Sequence, residues 1–280
     1  MSNDQIIWPA TMHHFALTSK DPNRLADWYV NALGFASKEP YEGGWVLKNA
    51  ERNLIILPGN NGGVAFSAFA VTEEEQIYRI KAHVTDNGGT VNKFDTPLFD
   101  GIAFATKDLD ENVFVFGSTE NSEKNSQGLP GRLQHIVFAT NRLTEQIGFY
   151  TNQLGFRKSD TVVDAEKNPT ACFMRSDPEH HSLGLFRAGT PQLDHFCFES
   201  SCWNDIRDWG DHFSELRIPI IWGAGRHGAG NNLFIFVEDP DGNKPEISAE
   251  IERLTFEQEP RIWPHEQRTL NLWGAAWMRS

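Results

Sequence analysis

The stretch HHFALTSKDPNRLADWYVNALGF (13–35) returns later in the chain as QHIVFATNRLTEQIGFYTNQLGF (134–156). At one offset of 121 residues His14 falls on His135, Tyr29 on Tyr150, and Leu33-Gly34-Phe35 on Leu154-Gly155-Phe156. Ungapped agreement of this length points to an internal duplication. In each copy a short apolar run alternates as a strand does, apolar residues then recur at helical spacing, and a glycine stands where the helix would stop. Farther on, Asp108-Leu109-Asp110 matches Asp239-Pro240-Asp241 at an offset of 131, so the second copy has gained about ten residues in between.

Within the second copy the pattern predicts strands near 133–139, 170–175, 182–187, 193–198, 219–222, 231–237 and 244–248, with helices near 142–153 and 202–215. The first copy is a shorter version of the same order. Short strands interrupted by single helices, given twice, predict an α+β protein of two tandem modules, each a pair of βαβββ units whose curled mixed sheet surrounds a cavity. The expected organisation is an N-terminal module (1–120), a linker (121–131) within the polar run STENSEKNSQGLPG, a C-terminal catalytic module (132–254) and a tail (255–280). The tail shows no clear period, but it carries Trp263, Trp273 and Trp277 and is expected to pack over a cleft.

A chain of 280 residues, 39% hydrophobic and 22% charged, supports a sizeable core. It contains no run of about 18 apolar residues, so no membrane span is expected. The start, MSNDQIIWPA, shows no basic region followed by an apolar one, and the cytoplasm is the expected location. Cys172, Cys197 and Cys202 make no CxxC pair and suit a reducing compartment as buried small residues. The balance of 25 basic against 38 acidic residues gives a net charge of −13, a field that repels phosphate backbones, so nucleic acid is not an expected partner. Paired modules commonly associate further, and a homo-oligomer is expected.

Three residues of the second copy stand out for chemistry. His135 in LQHIVF, His195 in LDHFCF and Glu246 in KPEIS each interrupt an apolar strand, where a buried polar side chain needs a partner. A lone strand histidine is more often a hydrogen-bonded structural residue than a ligand. Two imidazoles and a carboxylate together suit divalent iron or manganese, leaving positions open for other ligands, and zinc fits the same donors.

The segment GRHGAGNNLFIFVEDPDGNKPEI (225–247) closely resembles the region around the carboxylate ligand of the type I extradiol dioxygenases, members of the vicinal oxygen chelate (glyoxalase/bleomycin resistance/dioxygenase) superfamily. EHHSLGLF followed by LDHFCFE resembles the same family's approach to its second histidine ligand, and LQHIVF its first ligand strand. The resemblance implies Fe(II), with Mn(II) as the alternative, held by His135, His195 and Glu246. It implies a small aromatic diol and O2 as partners, and a catechol ring, bulky or bicyclic ones included, opened beside the diol. His181 matches the family's acid/base residue; His180, next to it on a strand, is the alternative inward-facing histidine, and a surface position in the polar DPEHHS turn is the plainer reading of both. His227 matches a histidine that hydrogen-bonds the substrate oxygen, and Arg226 is expected to steady negative charge nearby. Asn232 is a weaker candidate for cavity contact, since Asn231 and Asn232 also suit turn roles.

The chain departs from the family pattern at Phe236, where a tyrosine is common, and at Ser248, where another is frequent. Loss of the first hydroxyl removes a donor to the bound diol and favours a drier pocket around Phe236 and Trp222. In the first copy the positions opposite His195 and Glu246 fall near Ala65 and Val115, so that copy is expected to hold no metal, with His13 and His14 structural. Two other functions compete: a non-oxidative glyoxalase-like lyase or isomerase, which commonly draws ligands from both modules, and a small-aromatic binding protein, which needs no metal ligands.

Overall fold

The protein is described here from a computed structural model covering residues 6–50, 52–119 and 128–278. Most of the expected linker, residues 121–127, lies outside the described residues. The first half runs β1 (Thr11–Ser19), α1 (Pro22–Leu33), β2 (Ser37–Tyr41), β3 (Gly44–Asn49), β4 (Arg52–Pro58), β5 (Gly63–Val71), α2 (Glu74–Asp86), β6 (Asn92–Lys93), β7 (Ala103–Lys107) and β8 (Val113–Ser118). The second runs β9 (Arg132–Thr140), α3 (Leu143–Gly148), β10 (Arg157–Val163), β11 (Pro169–Arg175), β12 (Leu183–Arg187), β13 (Gln192–Ser200), α4 (Trp203–Glu215), β14 (Trp222–Arg226), β15 (Leu233–Phe236) and β16 (Pro245–Ala249), then β17 (Arg261–Pro264) and α5 (Gln267–Leu270).

Each half forms one mixed sheet, in the order β2-β3-β4-β1-β5-β8-β7-β6 and β14-β15-β16-β13-β9-β12-β11-β10-β17. The first strands of the two βαβββ units, β1 with β5 and β9 with β13, pair antiparallel at the centre of each sheet. The fold class expected from the duplication is therefore the one observed. No helix among the described residues is long and apolar enough to cross a membrane.

Local signals act as the sequence suggests. Asp21 accepts a hydrogen bond from Arg24 N, Pro22 opens α1, and Gly34 closes it at φ 65°, donating to Val30 O. The helix expected over 142–153 is α3 continued by a π-helical turn, Phe149–Leu154, which stops at Gly155 with φ 83°. The strand expected at 219–222 starts only at Trp222 and runs to Arg226. Two strands escape the pattern. β10, RKSDTVV, is rich in polar residues, and β17 adds to it in parallel from about a hundred residues downstream, so neither carries a local apolar period.

A continuous apolar core joins the two sheets; Phe15 and Phe196 meet across it with ring centroids 4.5 Å apart. The halves also exchange a polar clasp. Tyr29 donates to Asp239 Oδ2 of the second half at 2.8 Å, and Tyr150 donates to Asp108 Oδ2 of the first at 2.5 Å. Each aspartate further accepts from two backbone amides and an asparagine side chain of its own turn, Asn112 for Asp108 and Asn243 for Asp239. The motif aligned between the copies is thus used reciprocally, each tyrosine satisfying a buried carboxylate of the opposite module. Burial raises both phenols well above their ordinary pKa, and it raises the two carboxyls from theirs.

Removing a hydroxyl that serves a buried carboxylate costs about 1.5–3 kcal/mol. Tyr29→Phe and Tyr150→Phe should each lower the unfolding free energy by that amount in urea titrations; a change below about 0.5 kcal/mol in both would show that the clasp is energetically idle. At the far end of β13 buried Glu199 accepts from Ser248 Oγ and, at 2.9 Å, from Ile251 N. Burial outweighs these bonds and pushes its carboxyl up to about 7. A carboxyl whose pKa is raised by folding stabilises the protein at low pH, and that contribution is lost as pH climbs from the unfolded value near 4.5 to about 7, on the order of 3 kcal/mol in all. Glu199→Gln should therefore gain stability relative to the parent between pH 5 and pH 8; a difference independent of pH would contradict the shift.

Candidate active site

The site grows from strand pairing. In the second sheet β13 lies between β9, antiparallel, and β16, parallel, with Cys197 opposite both His135 and Glu246. Along β9 and β13 the alternation of faces sends Ile136, Phe138, Phe196 and Phe198 into the core between the sheets. His135, His195 and Cys197 are left on the other face, beside the aromatic cluster of Phe173, Trp222, Phe234 and Phe236. This face borders a cavity whose polar wall is His135, His181, His195, His227 and Glu246. Its apolar wall is built by Phe173, Phe186, Trp222, Ala229, Phe236 and Leu270. Thr269 and Leu270 come from the tail, and Trp277 stacks on Trp222 with centroids 4.8 Å apart.

The three sequence-predicted ligands converge. His135 Nε2 and His195 Nε2 lie 3.3 Å and 3.4 Å from Glu246 Oε2, with all three side chains buried. Each imidazole is oriented from behind: Gln134 Oε1 accepts from His135 Nδ1 at 2.5 Å, and Asp194 Oδ1 faces His195 Nδ1 at 2.6 Å. Gln134 directs its amide nitrogen to Glu179 Oε2 and His181 O, so its oxygen must face His135. His135 therefore carries its proton on Nδ1, and its bare, buried Nε2 has no hydrogen-bond partner. Burial holds His135 below its ordinary pKa. Asn232 Nδ2 donates to Glu246 Oε1 at 3.3 Å, which favours the ionised carboxylate. An ionised carboxylate facing an uncharged nitrogen lone pair is a pair of acceptors lacking a cation, and the donor set fits a divalent metal.

Cys197 competes on distance, because donor atoms of His135, Cys197 and Glu246 lie within 4.8 Å of one another. Chemistry and position favour His195 instead. The Cys197 thiol pairs with Ser248 Oγ at 2.9 Å, does not line the cavity, and is pushed well above its ordinary pKa by burial and by Glu246, which keeps it a thiol rather than a thiolate ligand.

The other expected residues divide. His181 lines the cavity, its ring centroid 4.3 Å from that of His135, and burial with the neighbouring histidines keeps it uncharged. His227 also lines it: Nδ1 donates to Leu270 O at 2.5 Å, Nε2 lies 3.6 Å from Glu246 Oε1, and the ring stacks on Phe234 at 4.0 Å. Phe236 stands edge-on to His195 at 5.2 Å. Asn232 is fully buried and donates to Glu246 Oε1 at 3.3 Å, so it supports the carboxylate. Three expectations need correction, the first being Asn232, which holds Glu246 instead of lining the cavity. His180, in the turn between β11 and β12, is buried behind His181 and faces Asp160 rather than the cavity, because its Nε2 is taken by that carboxylate. Arg226 turns outward to Asn231 O and Glu250, which neutralises it away from the cavity. Neither histidine of the DPEHHS turn is on the surface. Sequence reasoning missed Gln134, Asp194 and Asp160, whose only signal was adjacency to a histidine or a place in a polar strand.

The first module shows why one site is built and not two. His14 pairs across the strands with Ala68, and Ala68 with Val115, the row occupied by His135, Cys197 and Glu246 in the second module. Phe66 stands where His195 would be, one residue from the expected position. Phe66, Phe94 and Phe99 fill the space, while His14 is satisfied by His13 at 2.8 Å and Thr96 at 2.8 Å.

Comparison with known proteins agrees with this architecture. Residues 132–247 match the model of the Glyoxalase/Bleomycin resistance protein/Dioxygenase superfamily. Biphenyl-2,3-diol 1,2-dioxygenase 3 of Rhodococcus globerulus is 30% identical over 148 residues, 48% of this chain and 70% of that protein. Metapyrocatechase 2 of Cupriavidus necator is 29% identical over 136 residues, 49% of this chain but only 41% of its own length. The fold matches homoprotocatechuate 2,3-dioxygenase from Arthrobacter globiformis with a TM-score of 0.83 at 23% identity, covering 97% of this chain and 91% of that one. The chain belongs to the Glyoxalase/Bleomycin resistance protein/Dioxygenase superfamily, among its extradiol dioxygenases.

Proposed function

We propose that this protein opens the ring of an apolar-substituted catechol with dioxygen, using one divalent iron held by His135, His195 and Glu246. The observation that carries this reading is the buried, unpartnered Nε2 of His135 facing an ionised Glu246, in a cavity whose remaining wall is aromatic. Bound there, the metal would hold diol and dioxygen side by side and let electrons pass between them. Manganese(II) satisfies the same donors.

The chain's own residues supply the rest. Gln134 and Asp194 fix the two imidazoles so that their Nε2 atoms face the centre, and Asn232 holds the free oxygen of Glu246. His181, uncharged beside the centre, is placed to take a proton from the diol and return it to the departing oxygen. His227, with its Nδ1 proton given to Leu270 O, turns a bare Nε2 to the Glu246 side of the cavity, where it can accept a hydrogen bond from the substrate hydroxyl. Phe173, Phe186, Trp222 and Phe236 exclude water and receive the ring and its substituent. A phenylalanine at 236, with Trp222 stacked on it at 5.1 Å, makes this wall apolar where a tyrosine would offer a donor. The relative named for biphenyl-2,3-diol fits that preference.

Anaerobically iron-loaded protein, mixed with oxygen and a panel including catechol, 3-methylcatechol and biphenyl-2,3-diol, should consume oxygen and yield a yellow ring-opened product. His195→Ala should lose bound iron and at least about 10³-fold of the rate. Stoichiometric iron with no oxygen uptake on any diol would sink the reading.

A further inference from the structure

Asp160, in the polar strand β10, is deeply buried and collects four donor contacts. Arg261 donates through Nε to Oδ1 at 2.8 Å and through Nη2 to Oδ2 at 3.0 Å, Trp263 Nε1 donates to Oδ2 at 2.7 Å, and His180 Nε2 lies 2.9 Å from Oδ2. Arg261 and Trp263 both come from β17, the tail strand paired to β10. His180 Nδ1 lies 3.0 Å from His181 Nδ1, and His181 borders the cavity. The chain of contacts therefore runs from the tail through Asp160 and His180 to the cavity wall.

Proton counting gives it a direction. An ionised carboxylate only accepts, so His180 Nε2 donates to Asp160. An uncharged His180 then has a bare Nδ1, which can only accept from His181 Nδ1. The rings are held by packing: Phe173 lies 5.7 Å and 5.0 Å from the two histidines. Gly230, at φ 89°, approaches so closely that a Cβ there would sit 3.1 Å from His180 Nδ1.

We propose that Asp160 and His180 are positioning residues for His181, holding its proton on Nδ1 so that Nε2 is free to accept the proton of the bound diol. This rests on the ring-opening function proposed above. The logic is that of a buried carboxylate fixing a histidine tautomer for general-base work. It gives the tail strand a part in the chemistry, because Arg261 and Trp263 hold Asp160 in place.

The direct test is nitrogen-15 NMR on histidine-labelled protein carrying Zn(II) as a diamagnetic stand-in, with His181 assigned by its loss in His181→Gln. Protonated Nδ1 and bare Nε2 are expected on His181, with the proton moving wholly or partly to Nε2 in Asp160→Leu. A wild-type His181 protonated on Nε2, or a tautomer unmoved in Asp160→Leu, would overturn the proposal. In the iron enzyme Asp160→Leu and His180→Leu should lose about 10- to 100-fold in kcat while KM and bound iron stay within about twofold. His180→Gln, which keeps an acceptor for His181 and a donor for Asp160, should recover most of that loss; equal loss in both His180 variants would again overturn it. Wild-type protein that takes up no oxygen would sink the function but leave the tautomer result to stand or fall by itself.

Discussion

Everything chemical in this protein depends on one pairing, that of β13 with β9 on one side and β16 on the other. It brings His135 and His195, which lie far from Glu246 in sequence, to 3.3 Å and 3.4 Å from the Glu246 carboxylate. A one-residue slip in either register would turn the donors into the inter-sheet core and the phenylalanines into the cavity. The register is secured by Phe196 and Phe198, which sit on the opposite face of β13 in the shared core. Burying three polar groups at this point is costly unless each is satisfied, and the unpartnered Nε2 of His135 shows where the protein's own donors stop.

The duplication frames this site without repeating it. Both modules share the strand order and the reciprocal tyrosine–aspartate clasp, so the interface between them is nearly symmetric. The cavities are not. Phe66 and Val115 in the first module convert the equivalent space into apolar core, and His14 remains as a hydrogen-bonded residue. One half has kept packing and given up chemistry, while the other tolerates a cluster of buried polar groups because the joint core supplies stability around it.

The repeat made most of this legible. Tyr29 and Tyr150, Asp108 and Asp239, and the glycines after α1 and after the π-helical turn all sit at aligned positions and play matching roles. The positions opposite the ligands in the first module could be read to within a residue, because strand pairing preserves spacing once the copies are aligned. What stayed hidden depended on partners distant in sequence. β10 reads as polar, and only its pairing with β17 and the burial of Asp160 against Arg261 give that polarity a purpose. The outward turn of Arg226 likewise follows from Glu250, which becomes its neighbour only when β14, β15 and β16 pair. The roles of Gln134 and Asp194 could not be told from sequence, since a polar residue beside a strand histidine usually faces away from it.

The central claim is that this one row of strands holds a single metal per chain through two imidazoles and one carboxylate. Iron-edge anomalous diffraction from anaerobically loaded crystals tests it most directly. The account predicts one peak per chain, in contact with His135 Nε2, His195 Nε2 and the Glu246 carboxylate. A peak bound through Cys197 Sγ in place of His195, or a peak beside His14 in the first module, would contradict it.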